Sequence, residues 1–366
     1  MEDTFIIAQE ATNGDSNKSV ASTNGDSNKS VASTNGDSNK SVASSITAVF
    51  DGHGGPHVSS FLEKAFHSAL LKVAGVSSLS EVKLPVRMSC QILQDTLHLL
   101  DHHVLQQQTW NTQGSTALVS WHYRHEVERP LQTQQQSTAD VDDDSLFPPE
   151  EEGPKMGHNA TLIVANIGDS RAVLGRVLKT RNKNNDNDHE KPQLFAQAVA
   201  LTSDHKPDAP EEKRRILNLG GRVTTSLTDV PRVNGILALS RAIGDGDDRP
   251  FVSSQPDLST IGLASSQVLI DSDGTQVDDN DFRAFRQDEK YSVEDEFIVL
   301  ATDGLWDVMN NSQVVELVAA HDFQGTPRDQ IPQILTKTAL KLGSYDNITV
   351  VIEWLGGEAS NQPKQK

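Results

Sequence analysis

The sequence is poor in cysteine, in basic residues and in long apolar segments. Its single cysteine, Cys90, excludes an internal disulfide and favours a reducing compartment, so we expect a cytoplasmic or nuclear protein. No apolar segment approaches the roughly 20 residues that span a bilayer. No basic stretch followed by an apolar one stands at the N-terminus, so neither a membrane anchor nor a signal peptide is predicted.

Basic residues are few relative to acidic ones. The 366 residues include 32 Lys and Arg against 51 Asp and Glu, which gives a formal net charge of -19. Such a chain is repelled by phosphate backbones and by anionic lipid, so we predict neither nucleic acid nor a membrane as a partner. The length allows two domains or one large one. We predict one domain over residues 1–356 that acts as a monomer, followed by a disordered tail at 357–366.

Several polar segments interrupt this domain. Residues 12–44 are three identical copies of the eleven-residue sequence TNGDSNKSVAS, whose apolar content is too small to offset the entropy of ordering. The other segments are acidic or rich in amide side chains, and they lack hydrophobic periodicity. We therefore predict disordered insertions at 12–44, 123–158, 179–192 and 271–295.

The remaining segments carry helical and strand patterns. Apolar residues at helical spacing predict helices at 56–74, 86–108, 210–219, 312–320 and 328–342. Short apolar segments predict strands at 46–50, 115–121, 161–167, 171–178, 194–201, 297–302 and 347–354. The short turn between 161–167 and 171–178 predicts an antiparallel hairpin. Because the helices come in pairs between groups of strands, we expect an α+β layered fold.

Aspartate turns are scattered over nearly the whole chain, and several adjoin a predicted strand. They lie at 51–55, 168–171, 303–307 and 345–347. One Asp-Gly pair usually marks only a turn, but several carboxylates at strand ends suggest a shared site for a hard cation such as Mg²⁺ or Mn²⁺. A two-metal site, with ions about 3.5–4 Å apart, commonly needs one bridging carboxylate. Asp51 is the candidate bridge, and His53 beside it is a candidate for proton transfer.

These turns and several other motifs resemble the metal-dependent type 2C family of protein serine/threonine phosphatases. The resemblance runs from Met1 to about Trp354, and its further motifs are at 114–117, 202–207, 220–223, 232–235 and 239–245. It implies a four-layer α-β-β-α sandwich, in which helices flank two antiparallel sheets and a metal site lies in a cleft at one end.

The resemblance also implies metal ligands. Asp51 would bridge two Mg²⁺ or Mn²⁺ ions, and Gly52 would offer its carbonyl oxygen. The other expected ligands are acidic residues: Asp303 and Asp346 on one ion, Glu2 from the pair Glu2-Asp3 on the other, and Asp169 and Asp307 with Asp303 around a weaker third ion.

The implied activity is hydrolysis of phosphoserine and phosphothreonine in phosphoproteins by a metal-activated water, with His53 as the general acid. Members of the family usually carry a strand and a phosphate-binding arginine before the acidic pair, whereas this sequence begins with Met1 directly before Glu2. An alternative is therefore a weak or inactive pseudophosphatase that binds phosphoproteins. A third interpretation is a phosphomonoesterase for small molecules with the same site.

Overall fold

The computed structural model describes residues 3–11, 29–34, 42–82, 84–125, 159–180, 195–225, 230–262 and 291–355. Within these ranges the strands are β1 (Thr4–Ala11), β2 (Lys29–Thr34), β3 (Val42–Phe50), β4 (Gly52–His53), β5 (Gly114–Ser115), β6 (Ala117–His125), β7 (Asn159–Ile167), β8 (Arg171–Thr180), β9 (Phe195–Ala200), β10 (Val223–Thr224), β11 (Arg232–Val233), β12 (Ile243–Gly244), β13 (Asp257–Gly262), β14 (Tyr291–Ala301) and β15 (Ile348–Trp354). The α-helices are α1 (His57–Ala74), α2 (Val86–Leu105), α3 (Pro210–Asn218), α4 (Asp303–Trp306), α5 (Asn311–Phe323) and α6 (Ile331–Lys341).

Two large sheets pack face to face. Among the described residues the first sheet has the order β1-β3-β6-β7-β13 and is antiparallel, and the second has the order β2-β15-β14-β8-β9. Neighbours in the second sheet are antiparallel except for β2, which runs parallel to β15. Helices α1 and α2 cover the first sheet, and α5 and α6 cover the second. The predicted four-layer α-β-β-α fold is thus confirmed.

The alternation of side chains along β1 shows why the sheets are buried on both faces. Ile6 and Ala8 pack with the cluster beneath α1 and α2, whereas Phe5 and Ile7 enter the layer between the sheets. Successive side chains of a strand point to opposite faces, so a run of apolar residues requires cover on both sides. The same reasoning explains the nearly continuous apolar sequence of β7 and β15.

Helix α1 spans the range predicted from its apolar face. It buries Val58, Leu62, Phe66 and Leu70, and it ends at Gly75, which adopts a left-handed conformation and donates to carbonyls of the last turn. No helix in the described part of the chain is both long and apolar enough to cross a membrane.

The predicted hairpin of 161–167 with 171–178 is wrong. Strand β7 pairs with β6 and β13 in the first sheet, whereas β8 pairs with β14 and β9 in the second. The turn at 168–170 carries the chain from one sheet to the other. Both strands are apolar on both faces, and that pattern suits adjacent layers as well as adjacent strands.

The structure departs from the predicted disorder of 12–44 at two places. The backbone of β2, within the repeats, pairs with β15 from Lys29 opposite Ile348 to Thr34 opposite Glu353, and residues 42–44 begin β3. Backbone hydrogen bonds hold an edge strand, so this pairing needs little apolar side-chain surface. Residues 12–28 and 35–41 lie outside the described residues.

The other predicted insertions also begin or end inside strands. Strand β6 extends to residue 125, β8 to residue 180, and β14 begins at residue 291. The remainder of these insertions, and the predicted tail at 357–366, lie outside the described residues. Strand β13, which forms an edge of the first sheet, was not predicted, because its sequence DLSTIG alternates only weakly between polar and apolar residues.

Candidate metal centre

The antiparallel pairing brings the predicted acidic residues to one end of the sandwich. Strand β1 begins where β3 ends, so Asp3, directly before β1, lies beside Asp51, directly after β3. Strand β7 ends beside them, and Asp169 follows in the turn to the second sheet. In that sheet β14 ends next to the start of β15, which places Asp303 close to Asp346. Glu2, the remaining predicted ligand of the pair, lies outside the described residues.

Asp3 is a buried carboxylate with one unsatisfied oxygen. It is 3% exposed, and its Oδ2 accepts a hydrogen bond of 3.1 Å from the hydroxyl of Thr349. Its Oδ1 has no hydrogen-bond partner among the described residues. Buried polar atoms nearly always have a partner, so an orphan oxygen at this place fits a cation ligand.

Thr116 joins two of the aspartate turns. Its Oγ1 accepts a 3.1 Å hydrogen bond from the amide of Asp51 and lies 2.9 Å from Ser170 Oγ, while its own amide donates to the Asp51 carbonyl at 2.8 Å. Asp169 stands next to Ser170, so one buried threonine bonds the backbone of the Asp51 turn and a side chain of the Asp169 turn. The sequence motif at 114–117 gave no indication of this role.

The turn that contains Asp303 is locked to the turn that contains Asp346. Ser344 Oγ donates to the Gly304 carbonyl at 2.7 Å. A side chain at Gly304 would overlap the carbonyl oxygen of Asn347, so this close approach requires glycine. The short helix α4 therefore begins with Asp303 at a defined place relative to β15.

The carboxylates at this end of the sandwich destabilise one another's charged forms. Burial, and then the negative charges of Asp3 and Asp303, raise the pKa of Asp51 well above its ordinary value. Burial, and then the charge of Asp169, raise the pKa of Asp303 to about 8. Burial also raises the pKa values of Asp3 and Asp169 to about 6. Clustered acids with raised pKa values are typical of functional sites.

The donor chemistry of this cluster fits a hard divalent cation, which binds carboxylate and carbonyl oxygens and would relieve the repulsion. Among the described residues, no three His, Cys, Asp or Glu side chains already form a metal-binding group. The side chain of Asp307 is 60% exposed, and Asp346 is exposed as well. Gly52 is buried in β4 beside β5.

His53 is held by a residue that the sequence did not single out. Its Nε2 lies 2.8 Å from Asp245 Oδ2, and the side chains are 23% and 1% exposed. Asp245 lies 192 residues further along the chain, so no local spacing indicates the pair. Its only sequence signal was its place at the end of the motif at 239–245.

Comparisons with known proteins agree with this fold. The family model described as Protein phosphatase 2C matches residues 156–272 and 287–348. "Probable protein phosphatase 2C member 13, mitochondrial" of Oryza sativa subsp. japonica is 30% identical over 310 residues, which cover 84% of this chain and 59% of that protein. "Probable protein phosphatase 2C 24" of Arabidopsis thaliana is 30% identical over 318 residues, which cover 83% of this chain and 67% of that protein.

Coverage of the relatives is partial. "Protein phosphatase 2C 3" of Arabidopsis thaliana is 33% identical over 270 residues, which make up 74% of this chain and 44% of that protein. The chain thus spans about half to two thirds of the length of these curated plant proteins.

Solved structures share the fold. A serine-threonine phosphatase 2C from Toxoplasma gondii has a TM-score of 0.52 at 20% identity, with 85% of this chain and 84% of that chain covered. A sex determining protein of C. elegans has a TM-score of 0.55 at 21% identity, with 87% of this chain and 58% of that chain covered.

Proposed function

Because this chain belongs to the protein phosphatase 2C family, we propose that it hydrolyses phosphoserine and phosphothreonine in phosphoproteins with two bound Mg²⁺ or Mn²⁺ ions. The observation that supports this proposal most strongly is the carboxylate cluster with raised pKa values at one end of the sandwich. Repulsion between carboxylates lowers the stability of the fold. A cation bound at this end of the sandwich would offset that repulsion, which best explains why the carboxylates are clustered there.

The residues that would hold the ions come from both sheets. Asp51 would bridge them, with the carbonyl of Gly52, and the second sheet would supply Asp303 and Asp346. The other side chains proposed as ligands are Glu2 beside Asp3 for the second ion, and Asp169 and Asp307 with Asp303 for a weaker third ion. When bound, such ions neutralise phosphate charge and make a water molecule more nucleophilic.

His53 would supply the proton that the leaving group needs. In hydrolysis the water oxygen bonds to phosphorus, the bond from phosphorus to the serine or threonine oxygen breaks, and that oxygen takes a proton from His53. The attacking water releases a proton that returns His53 to its protonated form, so the products are the free hydroxyl and inorganic phosphate. Cys90 is half-buried in α2, and burial raises the pKa of its thiol, so it is a poor nucleophile.

The test is release of phosphate from a phosphothreonine peptide by the full chain with Mn²⁺, with and without a chelator. Asp303→Asn should abolish most of the activity, while Asp329→Asn removes an exposed carboxylate before α6 and should leave it unchanged. The proposal would be overturned if the rate of phosphate release were unchanged both by the chelator and by Asp303→Asn.

The same assay distinguishes the alternatives. A chain that retains the phosphopeptide without releasing phosphate would be a pseudophosphatase. A chain that prefers small phosphate esters to the peptide would be a metabolite phosphomonoesterase. The phosphomonoesterase would use the same metal site, whereas the pseudophosphatase outcome would require a non-catalytic explanation of the carboxylate cluster.

We also propose that the chain works as a monomer in the cytoplasm or nucleus. Its lone cysteine supports a reducing compartment. The rice relative carries the word mitochondrial in its name, which describes that protein. Imaging of the tagged full-length protein tests the compartment, and sedimentation tests the oligomeric state.

A further inference from the structure

We infer that Asp245 is the positioning residue for His53, because it holds the imidazole in the orientation from which the ring protonates the leaving oxygen. This inference rests on the proposed function, and it gives a role to Asp245, which the sequence marked only as the end of the motif at 239–245. The contact is short, at 2.8 Å between His53 Nε2 and Asp245 Oδ2. A carboxylate accepts a hydrogen bond, so the Nε2 nitrogen carries the proton in this pair.

The small sheet beside the metal cluster is built around this contact. Strand β5 lies between β12 and β4, and Gly114 of β5 pairs with both His53 and Gly244. His53 and Asp245 therefore meet across Gly114. Any side chain at Gly114 would overlap both the Asp245 carboxylate and the His53 ring nitrogen, so glycine at this position is what permits the pair.

The backbone around Asp245 is firmly held. The Asp245 amide donates to the Gln113 carbonyl at 2.9 Å, and the Gly244 amide donates to Asp101 Oδ1 at 2.9 Å. Arg249 also contacts Asp101 Oδ1, at 2.6 Å. A side chain whose backbone is anchored in this way can fix the orientation of its partner.

Asp245 also adopts a costly conformation. Its φ is 51°, in the left-handed region, although it is not glycine. Residues in this region are few, and Asn and Asp tolerate it best among non-glycine residues. Strain of this kind concentrates at functional sites. The Asp245 side chain is only 1% exposed and contacts His53. Together with the left-handed backbone, these features point to a role in positioning rather than in solubility.

The contact with Asp245 occupies Nε2 of His53 and fixes the orientation of the ring. A ring held in one orientation presents its proton to the serine or threonine oxygen from one direction. Loss of the carboxylate would allow the ring to turn and the tautomer to change, which slows proton donation without weakening substrate binding.

The experiment compares leaving groups. A phosphothreonine peptide has an alkoxide leaving group that requires a proton, whereas p-nitrophenyl phosphate has a leaving group that departs with little help. With Mn²⁺ present, Asp245→Asn should lower kcat for the peptide about 10–100-fold and kcat for the aryl ester less than about 3-fold, with KM unchanged. Asn keeps the size and tolerates the left-handed backbone. Asp247→Asn removes an exposed carboxylate two residues away and should leave both rates unchanged.

Equal losses on the two substrates would overturn the inference, since a merely structural role lowers both. A second readout needs no turnover: nitrogen NMR of the wild-type imidazole should show Nε2 protonated and hydrogen-bonded, with the resonance assigned by its loss in His53→Gln and perturbed in Asp245→Asn. An unprotonated Nε2 in the wild-type chain would also overturn it. A chain with the NMR signature but no phosphatase activity would keep the pair and refute the proposed function alone.

Discussion

The ammonium group of Lys206 lies 3.9 Å from the carboxylate of Asp169, so the chain places a cation of its own beside the acidic cluster. The same ammonium lies 3.5 Å from Asp307. Burial lowers the pKa of the Lys206 ammonium group, but the neighbouring carboxylates outweigh this effect and raise the pKa above its ordinary value. Asp169 and Asp307 are the residues proposed around a weaker third ion, so Lys206 and that ion would compete for the same negative charge.

Replacement of Lys206 by glutamine should therefore strengthen divalent binding at the weaker site. The Lys206 side chain is 38% exposed, so we expect its loss to cost the metal-free chain no more than about 1 kcal/mol of unfolding free energy. Titration calorimetry with Mn²⁺ should show tighter binding of the weakest ion in Lys206→Gln. Lys213→Gln, at an exposed position of α3, is the control and should bind as the wild type does. Weaker binding in Lys206→Gln would show that the lysine supports the ion instead.

Substitution of Thr116 by valine should loosen both aspartate turns. The change keeps the shape of the side chain but leaves the Asp51 amide without its acceptor, which should lower the unfolding free energy by about 1–3 kcal/mol. Denaturation in urea measures this loss, and Mn²⁺ binding to the variant should be weaker. Thr96→Val in α2 removes an equally buried hydroxyl that donates to the Ile92 carbonyl within the same helix. The idea fails if the two variants bind Mn²⁺ alike.

Local patterns predicted the helices of this fold well, because each depends on residues close in sequence. The range of α1 follows from its apolar face and from Gly75 at its end. The pairing partner of a buried strand, by contrast, depends on residues that are far away in the sequence. Strands β7 and β8 are apolar on both faces, so nothing in their sequence distinguishes a hairpin from a passage between two sheets.

The ion-pair network around Glu212 should make stability depend on pH in the acid range. Burial opposes the charge of Glu212, but hydrogen bonds from Arg241 and Arg215 lower its pKa to about 2. A depressed carboxyl pKa stabilises the folded state above the unfolded value of about 4.3, and this contribution is lost as pH falls toward 2. Glu212→Gln removes the carboxylate that Arg215 and Arg241 share, while Arg241 keeps its ion pair with Asp257, and it should cost about 1.5–3 kcal/mol at pH 7.

Urea denaturation at pH 7 and pH 3 checks this dependence. The difference in unfolding free energy between the wild type and Glu212→Gln should be smaller at pH 3, because the Glu212 carboxylate then stabilises the folded wild type less. Glu211→Gln changes an exposed neighbour in α3 and should match the wild type at both values. A constant difference between Glu212→Gln and the wild type would contradict the assigned pKa.

For the candidate site too, the sequence predicted some features and missed others. Aspartates that follow apolar segments indicated the carboxylates, because a strand end places its next residue at the edge of a sheet. The partners that hold them come from distant elements: Thr116 for the Asp51 turn and Asp245 for His53. Such pairs depend on tertiary packing, which spacing along the chain does not encode.

The most direct test of this account is anomalous diffraction at the manganese absorption edge from crystals of the chain soaked in Mn²⁺. We expect two strong peaks among the side chains of Asp51, Asp303 and Asp346, with Asp51 in contact with both ions, and a weaker peak near Asp169. Crystals that take up no ion at these carboxylates, under conditions in which the enzyme is assayed, would contradict the claim that this end of the sandwich is a metal centre.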